Sequence, residues 1–267
     1  MPNKPARNLL PVSIFILIAS FATIVMKPVY AQLEIQNSVN PPSSASNEPT
    51  RIHESNGTVV ILPASYSKEN SYPALILLPF TGGTAADLFD GDFTEQYQSR
   101  TANPFIVILP AGQGSANDYN RPGAFGATIE RYERLVRSDL NVLTPKYNID
   151  ASRVAIGGYS LGGDLSWALS LRNPGLFRGT IVIGSLSSYR NASNMPRLAA
   201  NNSRFFMIMG EQDERLREMR SAVSELAQYN VIHRFETVPG ADHYNIFRQY
   251  APREMLIQSV DYVLFNE

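Results

Sequence analysis

Residues 153–163 read RVAIGGYSLGG, and this stretch decides the fold. A run of small and apolar residues, 153–156, has the character of a buried strand. It breaks into four glycines set around Ser160, and a largely apolar stretch of helical length, 161–171, follows. Glycine weakens strands and helices alike, so four together answer a geometric demand. A strand that turns sharply into a helix, with a serine at the apex, makes that demand. Gly158 and Gly162 keep side chains out of the turn, the serine hydroxyl projects above the sheet, and the N-terminus of the helix faces it. Gly163 lets the helix pack closely. Asp164, in the first helical turn, is expected to serve the helix dipole and not the chemistry.

Outward from this turn, short apolar runs alternate with helical patterns. Strands are expected over 58–62, 74–78 (ALILL), 105–109 (FIVIL), 180–183, 205–209 and 231–238. Residues 127–143 place Ile129, Tyr132, Val136, Leu140 and Leu143 at helical spacing. Further helices are expected over 215–229 and, closing the chain, 244–264. Strands that are apolar on both faces and alternate with helices predict an α/β fold, a mostly parallel sheet covered on both sides.

The chain has 267 residues, 44% apolar and 18% charged, with a formal net charge of −1. That is globular composition with enough material for a large core. Near-neutral charge gives no footing to a nucleic-acid partner. Lys4 and Arg7 precede an apolar run, 9–25, which is followed by Lys27-Pro28 and Val29-Tyr30-Ala31. This order predicts a signal peptide, 1–31, and an exported protein, periplasmic or extracellular, with no stable membrane insertion after cleavage. An uncleaved anchor is the competing reading, and the run of 17 residues is short for one. Residues 32–50, rich in Asn, Ser, Pro and Gln, read as a flexible linker, and 51–267 as one domain. The sequence contains no cysteine, which excludes disulfides, thiolate metal sites and a cysteine nucleophile.

A serine needs a base to become a nucleophile. His53 precedes the core, and His233 falls inside the alternation of VIHRFETV. His243, in PGADHYN, follows a strand at the sheet edge that also carries Ser160, and is the expected base. The base needs a carboxylate. Asp213 lies three residues beyond Gly210, where the run RFFMIM ends, and is favoured over Glu211, Glu214 and Asp242. Asp242, adjacent to the histidine, is expected to cap the last helix. Three scattered histidines form no metal-binding cluster, and no cofactor is expected.

The order Ser160, Asp213, His243 around this elbow resembles the α/β-hydrolase superfamily over nearly all of 51–267. The stretch GGYSLGGDLSWALSLRNPGLFRGTIVIGS is similar to small serine esterases of the carboxylesterase/phospholipase, feruloyl-esterase and polyhydroxyalkanoate-depolymerase-like families. The resemblance implies an acyl-enzyme on Ser160, with His243 as base and Asp213 orienting it. It implies an oxyanion hole from the N–H of Leu161 and an N–H in the loop PFTGGTA. Pro79-Phe80 stands there where such families carry His-Gly; alignment on Gly82-Gly83 puts the donor at Thr81, with Phe80 next. A prolyl-oligopeptidase-like peptidase and a catalytically silent binding protein are the alternatives. About 20 residues separate the strands at 180–183 and 205–209, too few for a large lid. Phe80, Tyr119, Phe125 and Tyr189 are the expected substrate-binding residues of a site for small or polymeric esters.

Overall fold

The computed structural model describes residues 48–89, 98–100, 102–119, 122–247 and 252–266, all within one compact unit, Ser43–Glu267. The expected signal peptide and residues 32–47 of the expected linker lie outside the described residues. Among the described residues, no helix is long and apolar enough to cross a membrane.

Eight strands are described: β1 (Thr50–His53), β2 (Val59–Leu62), β3 (Tyr72–Leu78), β4 (Ile106–Leu109), β5 (Ile149–Tyr159), β6 (Gly179–Ile183), β7 (Arg204–Gly210) and β8 (Ile232–Val238). They form one open sheet in the order β1-β2-β4-β3-β5-β6-β7-β8. The pairs β1–β2 and β2–β4 are antiparallel, and the rest are parallel. The helices are α1 (Ala85–Phe89), α2 (Ala124–Tyr147), α3 (Leu161–Arg172), α4 (Met195–Ala200), α5 (Leu216–Gln228) and α6 (Pro252–Leu264).

Alternation within each strand explains why the runs are apolar throughout. Leu75 and Leu77 of β3, Val107 of β4 and Phe206 of β7 face a core closed by α1 and α6. Ala74, Ile76 and Leu78 face the opposite core, against Ile129, Tyr132 and Val136 of α2 and Leu165 of α3. Phe205 and Met207 pack beside Trp167 of α3 and Met219 of α5. A strand buried on both faces cannot afford a polar side. The strand β3 has β4 on one flank and β5 on the other, so the winding of the sheet reverses there. Ligands of open α/β sheets collect beyond the C-terminal strand ends at such a reversal, and Ser160 follows β5.

Several expectations need correction. The strand expected over 153–156 runs on to Tyr159, because Gly157 and Gly158 pair with Leu77 and Leu78 of β3 and with Ile181 and Val182 of β6. The first strand, β1, is not among the expected strands and straddles the expected boundary between linker and domain at 50/51: its residues TRIH are mostly exposed at the sheet edge, so they carry no apolar signal. The closing helix does not begin at Tyr244. The Asp242 carboxylate accepts hydrogen bonds from the N–H groups of Tyr244 (2.8 Å) and Asn245 (2.9 Å), which holds a turn, and helix is described from Pro252. Short polar side chains compete with the helix in this way. Asp242 therefore caps that turn and not the last helix.

Candidate active site

The turn after β5 is as tight as its glycines suggest. Ser160 has φ 55° and ψ −117°, in the left-handed half of backbone space that side chains rarely adopt. Its N–H donates to Ile183 O (2.9 Å), tying the turn to β6. A Cβ at Gly158 would lie 2.5 Å from the Gly162 carbonyl carbon, and one at Gly162 would lie 2.6 Å from Leu78 O. Any side chain at either position collides with backbone, so the spacing of the glycines around the serine is steric.

His243 arrives from the loop after β8. That loop crosses the end of β7 so closely that a Cβ at Gly210 would lie 2.5 Å from Ala241 O. The backbone N–H of Gln212 donates to Ala241 O (2.8 Å), which locks together the loops carrying Asp213 and His243. As a result, His243 Nδ1 donates to Asp213 Oδ2 (2.9 Å), and Ser160 Oγ lies 3.1 Å from His243 Nε2. The second oxygen of Asp213 accepts the backbone N–H of Arg215 (2.9 Å), with the Arg215 guanidinium at 3.4 Å. Burial works to raise the Asp213 carboxyl, but the hydrogen bonds from His243 and the Arg215 backbone, together with the Arg215 charge, outweigh it and hold it below the usual carboxylate range. Nδ1 thus faces a carboxylate, and Nε2 faces Ser160 Oγ.

The other candidates stand elsewhere. His53 is exposed on β1, and His233 on β8 donates from Nδ1 to Val231 O (2.8 Å). Glu211 accepts the N–H of Gly240 (3.1 Å), and the side chain of Glu214 is 86% exposed.

Ser160, His243 and Tyr159 line a cavity of about 730 Å³, together with Phe80 and Thr81. Leu88 and Phe247 extend its apolar wall; Tyr119, Asp164 and Arg215 are on its polar side. The N–H of Leu161 is at the first helical position of α3 and has no intrahelical partner. The loop 79–84 is pinned by Gly82 N–H to Gly114 O (3.0 Å) and Gly83 N–H to Phe80 O (3.2 Å). Its close approach to Gly114 leaves no room for a side chain there, where a Cβ would lie 2.2 Å from Phe80 O.

Two expected lining residues are not in the cavity wall. Phe125, in the first turn of α2, stacks on Tyr119 at 5.2 Å between ring centres and supports it from behind. Tyr189 packs against the cores beside α3, and its carbonyl accepts the indole N–H of Trp167 (2.8 Å). Asp164 is more than a helix-dipole residue. It is buried, and accepts hydrogen bonds from Ser185 Oγ (2.7 Å), Ser187 N–H (2.8 Å) and Tyr119 OH (2.7 Å). Burial pushes its carboxyl up despite those donors. Sequence reasoning missed Leu88, which lies in α1, and Arg215 and Phe247, which lie in the segments that follow β7 and β8. Only the rule that function gathers at C-terminal strand ends pointed towards them.

Among characterised proteins, a probable feruloyl esterase C from Aspergillus terreus is 28% identical over 163 residues, 58% of this chain. The chain spans 57% of that relative's length. A ferulic acid esterase from Anaeromyces mucronatus, solved with ferulic acid, superposes with a TM-score of 0.61 at 16% identity, covering 87% of this chain and 98% of the other. S-formylglutathione hydrolase from Staphylococcus aureus superposes at 0.56 and 16% identity, over 84% and 100% of the two chains. These two share the fold, an α/β-hydrolase sheet. The model of the family described as putative esterase matches residues 50–249, a span that holds Ser160, Asp213 and His243, and the chain belongs to that family.

Proposed function

We propose that this chain is an exported serine hydrolase that cleaves carboxylic esters through an acyl-enzyme on Ser160. The observation that carries this reading is the continuous hydrogen-bond chain from Ser160 through His243 to Asp213 at a strained strand-to-helix turn. His243 takes the serine proton as Oγ attacks the ester carbonyl, and Asp213 orients the imidazole and stabilises its charged form. The N–H groups of Leu161 and Thr81 receive the oxyanion, aided by the N-terminus of α3. His243 then protonates the departing alcohol, and water, activated by the same base, releases the acid. Proline at 79 and phenylalanine at 80 do not remove a donor from this scheme, because it uses the backbone of Thr81 and no side chain. The run at 9–25 and the Val-x-Ala pattern ending at Ala31 support export with cleavage after Ala31.

The acyl group we assign is aromatic. Phe80, Leu88 and Phe247 line the cavity that opens on Ser160, and the curated relative and solved neighbours include proteins named as feruloyl esterases.

Intact mass after incubation with a fluorophosphonate tests the nucleophile without a choice of substrate. One adduct per chain is expected on the parent and none on Ser160→Ala, with ester hydrolysis lowered by on the order of 10⁴-fold or more. Methyl ferulate, compared with methyl butyrate, tests the acyl preference. A folded parent that takes no probe would leave a hydrolase fold used only for binding.

A further inference from the structure

Tyr159, the residue before the serine, lies against His243 in two ways. Its ring stacks on the imidazole with centres 5.0 Å apart and planes 26° from parallel. Its hydroxyl donates a hydrogen bond to the backbone carbonyl of His243, 84 residues away in the chain. Phe247 supports the ring edge-on at 5.0 Å, and Tyr159 is buried. Burial, and then the charge of Asp213, push its phenol well up, so the hydroxyl keeps its proton and remains a donor. Space for the ring pair comes from Gly184, at φ 56°. A Cβ there would lie 2.9 Å from the Tyr159 ring and 3.4 Å from His243 Nδ1.

We infer that Tyr159 is a positioning residue for His243: it joins the base to the turn that carries the nucleophile, so that Ser160 and His243 move as one unit. Tyr159 ends β5 and immediately precedes Ser160, so any shift of the turn carries the ring, and through it the histidine loop. The hydroxyl sets the height of the His243 backbone, and the ring covers one imidazole face. Asp213 on one nitrogen and Ser160 on the other fix rotation in the plane of the ring. Tyr244 meets the imidazole edge-on at 5.3 Å, so Tyr159 supplies the flat contact that opposes tipping. The electron-rich face of a phenol also favours the positive charge that the imidazole gains during proton transfer. This role rests on the Ser160–His243–Asp213 reading given above.

The test compares the parent with Tyr159→Phe and Tyr159→Leu, using kcat and KM on one aryl ester and the rate and endpoint of fluorophosphonate labelling. Tyr159→Phe keeps the stack and loses the hydrogen bond. Its kcat and labelling rate should fall together by roughly fivefold, with KM unmoved and the endpoint still one label per chain. Tyr159→Leu loses both contacts and should fall by on the order of 100-fold. A merely structural role would lower the endpoint or the melting temperature while leaving the rate of the labelled fraction unchanged. The inference is overturned if Tyr159→Phe matches the parent within twofold, or if KM moves instead of kcat. A parent that takes no label overturns the nucleophile reading itself, and this role with it.

Discussion

Gly162→Ala is the sharpest test of how the turn is built. An added Cβ would lie 2.6 Å from Leu78 O and 2.8 Å from Pro79 O, where ordinary contact begins at 3.4 Å. Relief therefore needs a displacement of about 0.6–0.8 Å, shared between the first turn of α3 and the end of β3. Neither can yield alone: β3 is hydrogen-bonded on both flanks, and α3 is buried along nearly its whole length. Overpacking of this kind costs about 1–3 kcal/mol. For a domain of this size that is a fall in Tm of roughly 3–10 °C. The same displacement separates Ser160, which precedes α3, from Thr81, which follows β3. A misplacement near 1 Å costs on the order of 100-fold, so kcat/KM should drop by roughly 10- to 100-fold. Gly126→Ala is the matched control, since nothing lies within 4 Å of its added Cβ in α2. It should gain about 0.5–1 kcal/mol and leave activity unchanged. Thermal unfolding by circular dichroism and ester hydrolysis at saturating and limiting substrate read both effects. A Gly162→Ala protein with the parent's Tm and kcat/KM would refute the steric account. Lost stability with unchanged turnover would show that the strain relaxes away from the site.

Two further perturbations test the surroundings. Burial raises the Asp164 carboxyl in the folded state above its unfolded value of about 3.9. Such a group favours the fold when protonated, and its contribution is lost as pH rises from about 4 through the raised value. The stability difference between Asp164→Asn and the parent should therefore shift in the variant's favour as pH increases across that window. Urea unfolding of both proteins at several pH values checks it, and a constant difference would contradict the assigned direction. Trp167 is fully buried and its indole N–H donates to Tyr189 O, so Trp167→Phe should cost about 2–4 kcal/mol through lost volume and an unpaired carbonyl. It is the only tryptophan, so circular dichroism and not fluorescence must follow the variant.

Features carried by neighbouring residues were legible before any coordinates. The stretch 153–163 announced a strand, a forced turn and a helix because the steric demand of the turn is met by residues two apart. The apolar runs of β3, β4 and β7 announced strands covered on both faces. Legibility failed where a local pattern was absent or ambiguous. Strand β1 is exposed and has no apolar signature. Tyr244–Phe247 carry apolar spacing that suits a helix, but the Asp242 carboxylate claims the backbone N–H groups that a helix would begin with. Phe125 and Tyr189 sit in loops or helix ends near the cavity in sequence, yet their rings pack on Tyr119 and on the core.

From the sequence alone came the sheet class, the serine turn, and the residue types of the expected base and its carboxylate, because glycine placement and apolar periodicity act over a few positions. Only the tertiary structure decided which walls surround Ser160, that Asp164 is buried beneath Tyr119 and the Ser187 backbone, and that Tyr159 lies across His243. The contacts of Asp164 and Tyr159 join segments 23 to 84 residues apart. They depend on the order in which eight strands lie side by side, a global property of packing that no short pattern encodes.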